Sequence, residues 1–377
     1  MSSKLWLKGQ NPYQDYLTPA GASWQLLTQS KELPPLNLIV AYSTPYSPVT
    51  LLHLAPFSFW EWSDCRLLWL LFNVLCAFYV PWCLGRLWYP HWKRRHYLFL
   101  TVLFLGGMGL RVGLGLGQHT LFWLSCFLTS LLFLSKQKNS IAGIFLAMSF
   151  HKFNLTIFML PYYVVKRQWK VLGWTVFYLL CYLGAFFLRL PHLVTQATQS
   201  YLKEVSWWAT YSKLGDLPGL GSTQLHPVIF LIFGHTALGQ AAISIFLIGI
   251  LAICALAWHR RRHLVADDYG LSILMLFCLL AVYHSTHDTV LLIIPAAFVM
   301  NQWIILEKID FKKIILMIFG LAVWFVDASK VYLFFYRASL EELTFDTPYK
   351  WFSITYRLIL LGLFLLFLKL EKRDPIS

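Results

Sequence analysis

The sequence predicts an all-α polytopic membrane protein, and three observations carry the prediction. Hydrophobic residues make up 58% of the 377 and charged residues only 13%, a balance that no soluble core requires. The apolar residues come in long runs. The basic residues gather in the short loops between those runs. A formal charge of +14 would suggest nucleic acid in a soluble protein. Here topology places the charge, so membrane lipids are the expected partners and nucleic acid is not. The seven cysteines lie in or at the ends of apolar runs, are odd in number and form no CxxC, which argues against a disulfide framework or a metal cluster.

Residues 1–64 are amphiphilic and are expected to form an outer-face N-terminal segment, with 65–377 as the transmembrane domain. NPY, PAG, ELPP and TPYSP each mark a turn, with short amphipathic helices expected at 20–30 and 49–60. FSFWEW has the aromatic character of a membrane interface. The opening MSSKLWLKGQ lacks the apolar h-region of a secretory leader.

From Leu67 the chain reads as about eleven membrane segments, several shorter than the roughly 20 residues that cross ~30 Å of hydrocarbon. They fall near 67–85, 97–110, 119–135, 140–151, 153–165, 171–188, 227–258, 269–284, 289–306, 314–333 and 352–370. Segments 140–151 and 153–165 form either one long span or a hairpin of short helices turning at His151–Asn154. Charge decides for the hairpin. Loops 86–96, 135–139, 166–170, 259–263, 307–313 and the tail 369–374 hold 18 of the 31 Lys and Arg and 4 of the 17 acids. Placed together on the inside, they satisfy the positive-inside rule, whereas one long span would put SKQKN and KRQWK on opposite faces. Counting back from an inside C-terminus leaves the N-terminus outside, so a first transmembrane helix upstream of this sequence is expected; the alternative is that one assigned span is false. Residues 189–226 and 334–351 are the long outer segments.

On this topology the polar residues at outer ends are Arg111, Gln118, His119, Lys152, Asn154, Arg189, His284, His287, Asp288, Asp327 and Lys330. Arg111, Lys152 and Arg189 have the chemistry to neutralise a phosphate. For Arg189 snorkelling to the headgroups is the simpler reading, whereas Lys152 sits at the turn of a hairpin and not on a flank. The Gly-rich run Gly106–Gly117 suits either close helix packing or backbone approach to a ligand. HSTHD, from His284 to Asp288, suits proton transfer or sugar binding. Its ligands are too close together for a known closed metal site, so no metal is expected. His53, His192 and His235 read as interface residues. Walker A, nucleophile-elbow and dinucleotide fingerprints are absent from the sequence.

The run GQHTLFWLSCFLTSLLFLSKQKNSIAGIFLAMSFHKFNLTIFMLPYYVVKRQWK resembles the core of the polyprenyl-phosphate-mannose-dependent α-mannosyltransferases, polytopic glycosyltransferases of the GT-C class. Gln118, Ala142, Gly143 and Lys152 carry the match. Upstream, Gly9, Pro12 and Tyr13 resemble the family's Gly-x-x-Pro-Tyr loop, and Tyr46 and Pro48 its Tyr-Pro-Pro segment; AVYHSTHDTVLLIIP resembles its late histidine-bearing loop. The likeness runs through most of the chain in order. It implies a GT-C-like bundle in the plasma membrane with an outward-facing active site, a polyprenyl-phosphate hexose as donor, no further cofactor, and a glycolipid or glycan acceptor of the cell envelope. The family's base is an Asp just after its first transmembrane helix. No Asp precedes Asp15 here, so the expected base lies upstream of this sequence or Asp15 takes the role.

The expected reaction moves a hexose, mannose by resemblance, with inversion. Lys152 and Arg111 would hold the phosphate, Gln118 and Asn154 would orient oxygens, and His287 with Asp288 would assist proton transfer or bind sugar. The rival readings are a transporter or flippase built on broken helices, and an inactive truncated homologue.

Overall fold

The structure is a computed structural model that describes residues 6–13, 47–202, 229, 236–260, 267–281, 286–306, 355 and 357–365. Asp15, His284, the span expected at 314–333, the helix expected at 20–30 and the segment 334–351 lie outside the described residues. Among the described residues the regular structure is helical throughout, as expected of an all-α polytopic membrane protein.

In chain order the helices are α1 (Pro48–Leu54), α2 (Trp62–Trp88), α3 (Arg94–Gly106), α4 (Met108–Gly115), α5 (Thr120–Ser135) and α6 (Asn139–Ser149). They continue with α7 (Phe153–Val165), α8 (Trp169–Leu188), α9 (Ala237–Arg260), α10 (Asp268–Ala281) and α11 (Ile293–Leu306). Short 3-10 helices precede α2, α7 and α11, at Ala55–Phe59, Phe150–Lys152 and Thr286–Leu292. By length and hydropathy, Ser63–Trp88, Asn139–Val165, Trp169–Leu188 and Ala237–Arg260 are each able to cross a bilayer.

For Asn139–Val165 length misleads. A straight helical path would separate Ala142 from Tyr163 by about 30 Å. Yet the Ser130 hydroxyl lies 2.8 Å from the Ala142 carbonyl and 3.1 Å from the Tyr163 hydroxyl. The chain therefore folds back at Phe150–Lys152, and α6 and α7 form a hairpin. Gly143 lets α8 close on α6: a Cβ there would sit 2.5 Å from Trp174 Cβ and 3.1 Å from the Thr175 nitrogen.

The segment expected at 97–110 is broken instead into α3 and α4, bent by 60° at Gly107, which is extended. Two adjacent glycines offer the least resistance to leaving the helix there. Helix α4 then ends in a Schellman cap: Gly117 has φ 63°, Gln118 N–H donates to Gly113 O at 2.8 Å and Gly117 N–H to Leu114 O at 3.2 Å. That turn delivers Gln118 and His119 to the start of α5.

Helix α5 is the central element. Leu121, Trp123, Leu124, Phe127, Leu128 and Leu131 are buried along its length, and it packs between α2 and α6. A helix apolar all round belongs in the middle of a bundle. Outer faces of the bundle expose Leu67, Leu71, Leu75, Leu98, Val176 and Leu180, as a lipid-facing surface requires.

Candidate active site at the Phe150–Lys152 turn

A hairpin turn leaves helix-end carbonyls without intrahelical partners, and inside a membrane each must be answered by protein. Neighbouring hydroxyls answer them here. Thr156 donates to Ser149 O at 2.6 Å and Trp123 donates in turn to Thr156 at 2.8 Å. From α1, Ser47 donates to Phe150 O at 3.3 Å and Thr50 to His151 O at 2.7 Å. The Ser-Pro start of α1 serves this docking, since Ser47 is its N-cap and Pro48 its first residue.

Lys152 is the N-cap residue of α7, where the positive end of the helix dipole disfavours a cation. A carboxylate overrides that. Lys152 Nζ forms an ion pair with Asp288 Oδ1 and donates to Thr120 Oγ1 at 2.5 Å. Thr120 itself donates to Asp288 Oδ1 at 2.6 Å. Three elements thus meet at one point: the hairpin turn, the first residue of α5 and the Thr286–Leu292 helix. The Asp288 side chain is 3% exposed and that of Lys152 14%, so the carboxylate is closed in while the lysine side chain stays partly exposed.

Beside this triangle lies a ring cluster. His151 stacks on Phe122 at 4.6 Å between centroids, and His119 packs on Trp69 at 4.9 Å. His53, from α1, meets His151, Phe122 and Tyr182 edge-on at 6.0, 5.7 and 5.4 Å. Among the described residues neither nitrogen of His53 has a hydrogen-bond partner. Burial, and secondarily His151 beside it, pushes the His53 pKa down to about 3.

The expected site residues separate on this geometry. Lys152 and Asp288 come together. Gln118 and Asn154 are half-buried, one ahead of the Thr120 helix and the other in the first turn of α7. Arg111 is exposed on α4, the helix that packs against Thr286–Leu292. His287 lies in that 3-10 helix. The Arg189 guanidinium donates to the Leu7 carbonyl, with Nε at 3.1 Å, so it ties residues 6–13 to the end of α8. Trp6 does the same, stacking on Phe186 and donating to its carbonyl at 3.1 Å. Among the described residues no group of three His, Cys, Asp or Glu is placed to hold a metal ion.

Sequence reading missed Thr120, took His151 only as a turn residue, placed His119 at an outer end without a role, and left His53 among ordinary interface residues. Adjacency was the available signal, because Thr120 follows Gln118 by two residues and His151 immediately precedes Lys152.

The family model for glycosyltransferase family 87 matches residues 44–286. That range runs from the start of α1 through the hairpin turn and stops two residues before Asp288. No curated protein and no solved structure matches the chain.

Proposed function

Because the chain belongs to glycosyltransferase family 87 and is a membrane glycosyltransferase, we propose that it moves mannose from a polyprenyl-phosphate donor to a glycolipid or glycan acceptor. The site would face outward from the plasma membrane, in a GT-C-like arrangement. The observation that supports this reading best is Lys152. An ammonium has three N–H donors. Among the described residues Thr120 and Asp288 take two of them, which leaves the third for a ligand anion.

Chemically, an acceptor hydroxyl oxygen attacks the anomeric carbon opposite the phosphate, and the bond from that carbon to the phosphate oxygen breaks. The acceptor proton passes to a base, and polyprenyl phosphate leaves with the bonding pair. Lys152 stabilises the negative charge that grows on the departing oxygen, held ready by Asp288 and Thr120 so that little reorganisation is needed during the step. Asp288 Oδ1 is already engaged by two donors, so Asp288 serves as the anchor of the cation and the base is a carboxylate of the N-terminal region, Asp15. Arg111 offers a second cation at the lipid headgroup level, Gln118 and Asn154 orient sugar or phosphate oxygens, and His284 and His287 bind sugar hydroxyls. Displacement from the opposite side inverts the anomeric centre.

Purified protein in liposomes, given radiolabelled short-chain polyprenyl-phosphate mannose or a nucleotide-linked mannose, tests the reading. Transfer to extracted envelope glycolipids from the lipid-linked donor alone is expected. Transfer from the nucleotide sugar alone would refute it.

A further inference from the structure

We propose that His151 is the positioning residue that holds Lys152 against Thr120 and Asp288, a role that rests on the donor-phosphate reading above. His151 directly precedes Lys152 in the 3-10 turn and is buried. Its two ring nitrogens make contacts of different reach. Nδ1 lies 2.8 Å from Met148 O, a carbonyl of the last turn of α6, and stays within the hairpin. Nε2 lies 3.2 Å from His119 O and crosses to the residue that precedes Thr120. The ring is trapped between Phe122 of α5 and His53 of α1, and Thr50 holds its backbone carbonyl. Through Nε2 the backbone carrying Lys152 is therefore referenced to the backbone carrying Thr120.

Both acceptors are carbonyl oxygens, and a neutral imidazole carries a single N–H. The tautomer protonated at Nε2 makes the crossing bond; the other would turn a lone pair toward His119 O. The lysine is long and has many rotamers, so its ammonium reaches Thr120 and Asp288 reproducibly only if the turn beneath it cannot shift. His151 touches no reacting atom and acts only through Lys152.

Two substitutions separate this role from packing. The Gln amide nitrogen reaches about as far along the side chain as Nε2, and that of Asn about as far as Nδ1. His151→Gln keeps the crossing bond, while His151→Asn keeps only the one inside the hairpin. Two quantities are read on the full chain in detergent: the rate at which a small amine-acylating reagent modifies Lys152, followed by mass spectrometry, and the affinity for short-chain polyprenyl-phosphate mannose. His151→Asn is expected to acylate at Lys152 about 5-fold faster and to bind the lipid about 10-fold more weakly, with His151→Gln within about 2-fold of the unaltered chain on both. Equal acylation rates in the two variants overturn the proposal, including the case in which His151→Asn merely melts at a lower temperature. If the unaltered chain binds no such lipid but acylation still separates Asn from Gln, the positioning role stands and the donor reading falls.

Discussion

Helix α7 carries a lysine–aspartate pair at each end, and the two pairs are built differently. At its C-terminal end Lys166 Nζ lies 3.4 Å from Asp267 Oδ2, with both side chains fully buried. Asp267 Oδ1 accepts the Gly270 N–H at 3.0 Å and so caps α10, while its own N–H donates to the Tyr162 hydroxyl at 3.0 Å. Lys166 also lies over the Tyr162 ring, 5.5 Å from its centroid. Nearby, Tyr89 donates to Asp268 at 2.9 Å, and burial together with that carboxylate pushes its pKa well above the ordinary range. The helix dipole favours a cation at this end. At the N-terminal end the dipole opposes Lys152, and its side chain stays 14% exposed. A pair that is closed and aligned with its dipole locks helices together. On the proposed reading, a pair that is partly exposed and opposed to its dipole holds a charge for a ligand.

The largest expected difference is in turnover. Lys152→Ala should reduce sugar transfer by about 100- to 1000-fold, the usual effect of removing one donor to a developing oxyanion. Its cost in stability should be about 1–3 kcal/mol, because Asp288 keeps the Thr120 hydroxyl. Rates per folded molecule and thermal melts in detergent give the two numbers. Lys166→Met should do the reverse: about 3–5 kcal/mol of stability is lost through the stranded Asp267, with transfer per folded molecule little changed. If both lysines affected turnover alike, the distinction between the two ends would collapse.

Gly270→Ala sharpens the contrast without touching a charge. Its Cβ would meet Asp267 Oδ2 at 2.6 Å and Trp258 Cδ1 at 2.8 Å, so it wedges the Lys166–Asp267 pair. A loss of about 1–3 kcal/mol is expected, with donor affinity unchanged.

Acid should act at the Lys152 end through His53. Its folded pKa, about 3, lies below the unfolded value of 6.5. The unfolded chain therefore takes up a proton first, and stability falls as pH drops from about 6.5 toward 3. His53→Phe should flatten that part of the stability–pH curve, read from denaturation midpoints at pH 7.0 and pH 4.5; an unchanged slope would remove His53 as its source.

Much of the fold was legible in the sequence, because the properties that build it are local. The hairpin at His151–Asn154 followed from loop charge, and the Gly-rich break before Gln118 is the bent, Schellman-capped end of α4. The site was legible only in pieces. Lys152 and Asp288 stood out singly, but their pairing spans 136 positions and no periodicity reports it. Lys166 read as one more basic loop residue, since the Asp267 that buries it is 101 positions away. Arg189 has the same chemistry as Arg111 on paper; only the backbone of Leu7, brought back against α8, shows where its guanidinium goes. Thr120 and His151 are ordinary residue types whose roles come entirely from what the hairpin sets beside them.

The affinity of Lys152→Ala for short-chain polyprenyl-phosphate mannose, measured beside Lys166→Met at equal folded fraction, tests the assignment of the two ends most directly. Binding should weaken at least about 10-fold in Lys152→Ala and stay within about 2-fold of the unaltered chain in Lys166→Met. Equal affinity in the two variants, or a greater loss in Lys166→Met, would contradict a donor-phosphate site at Lys152.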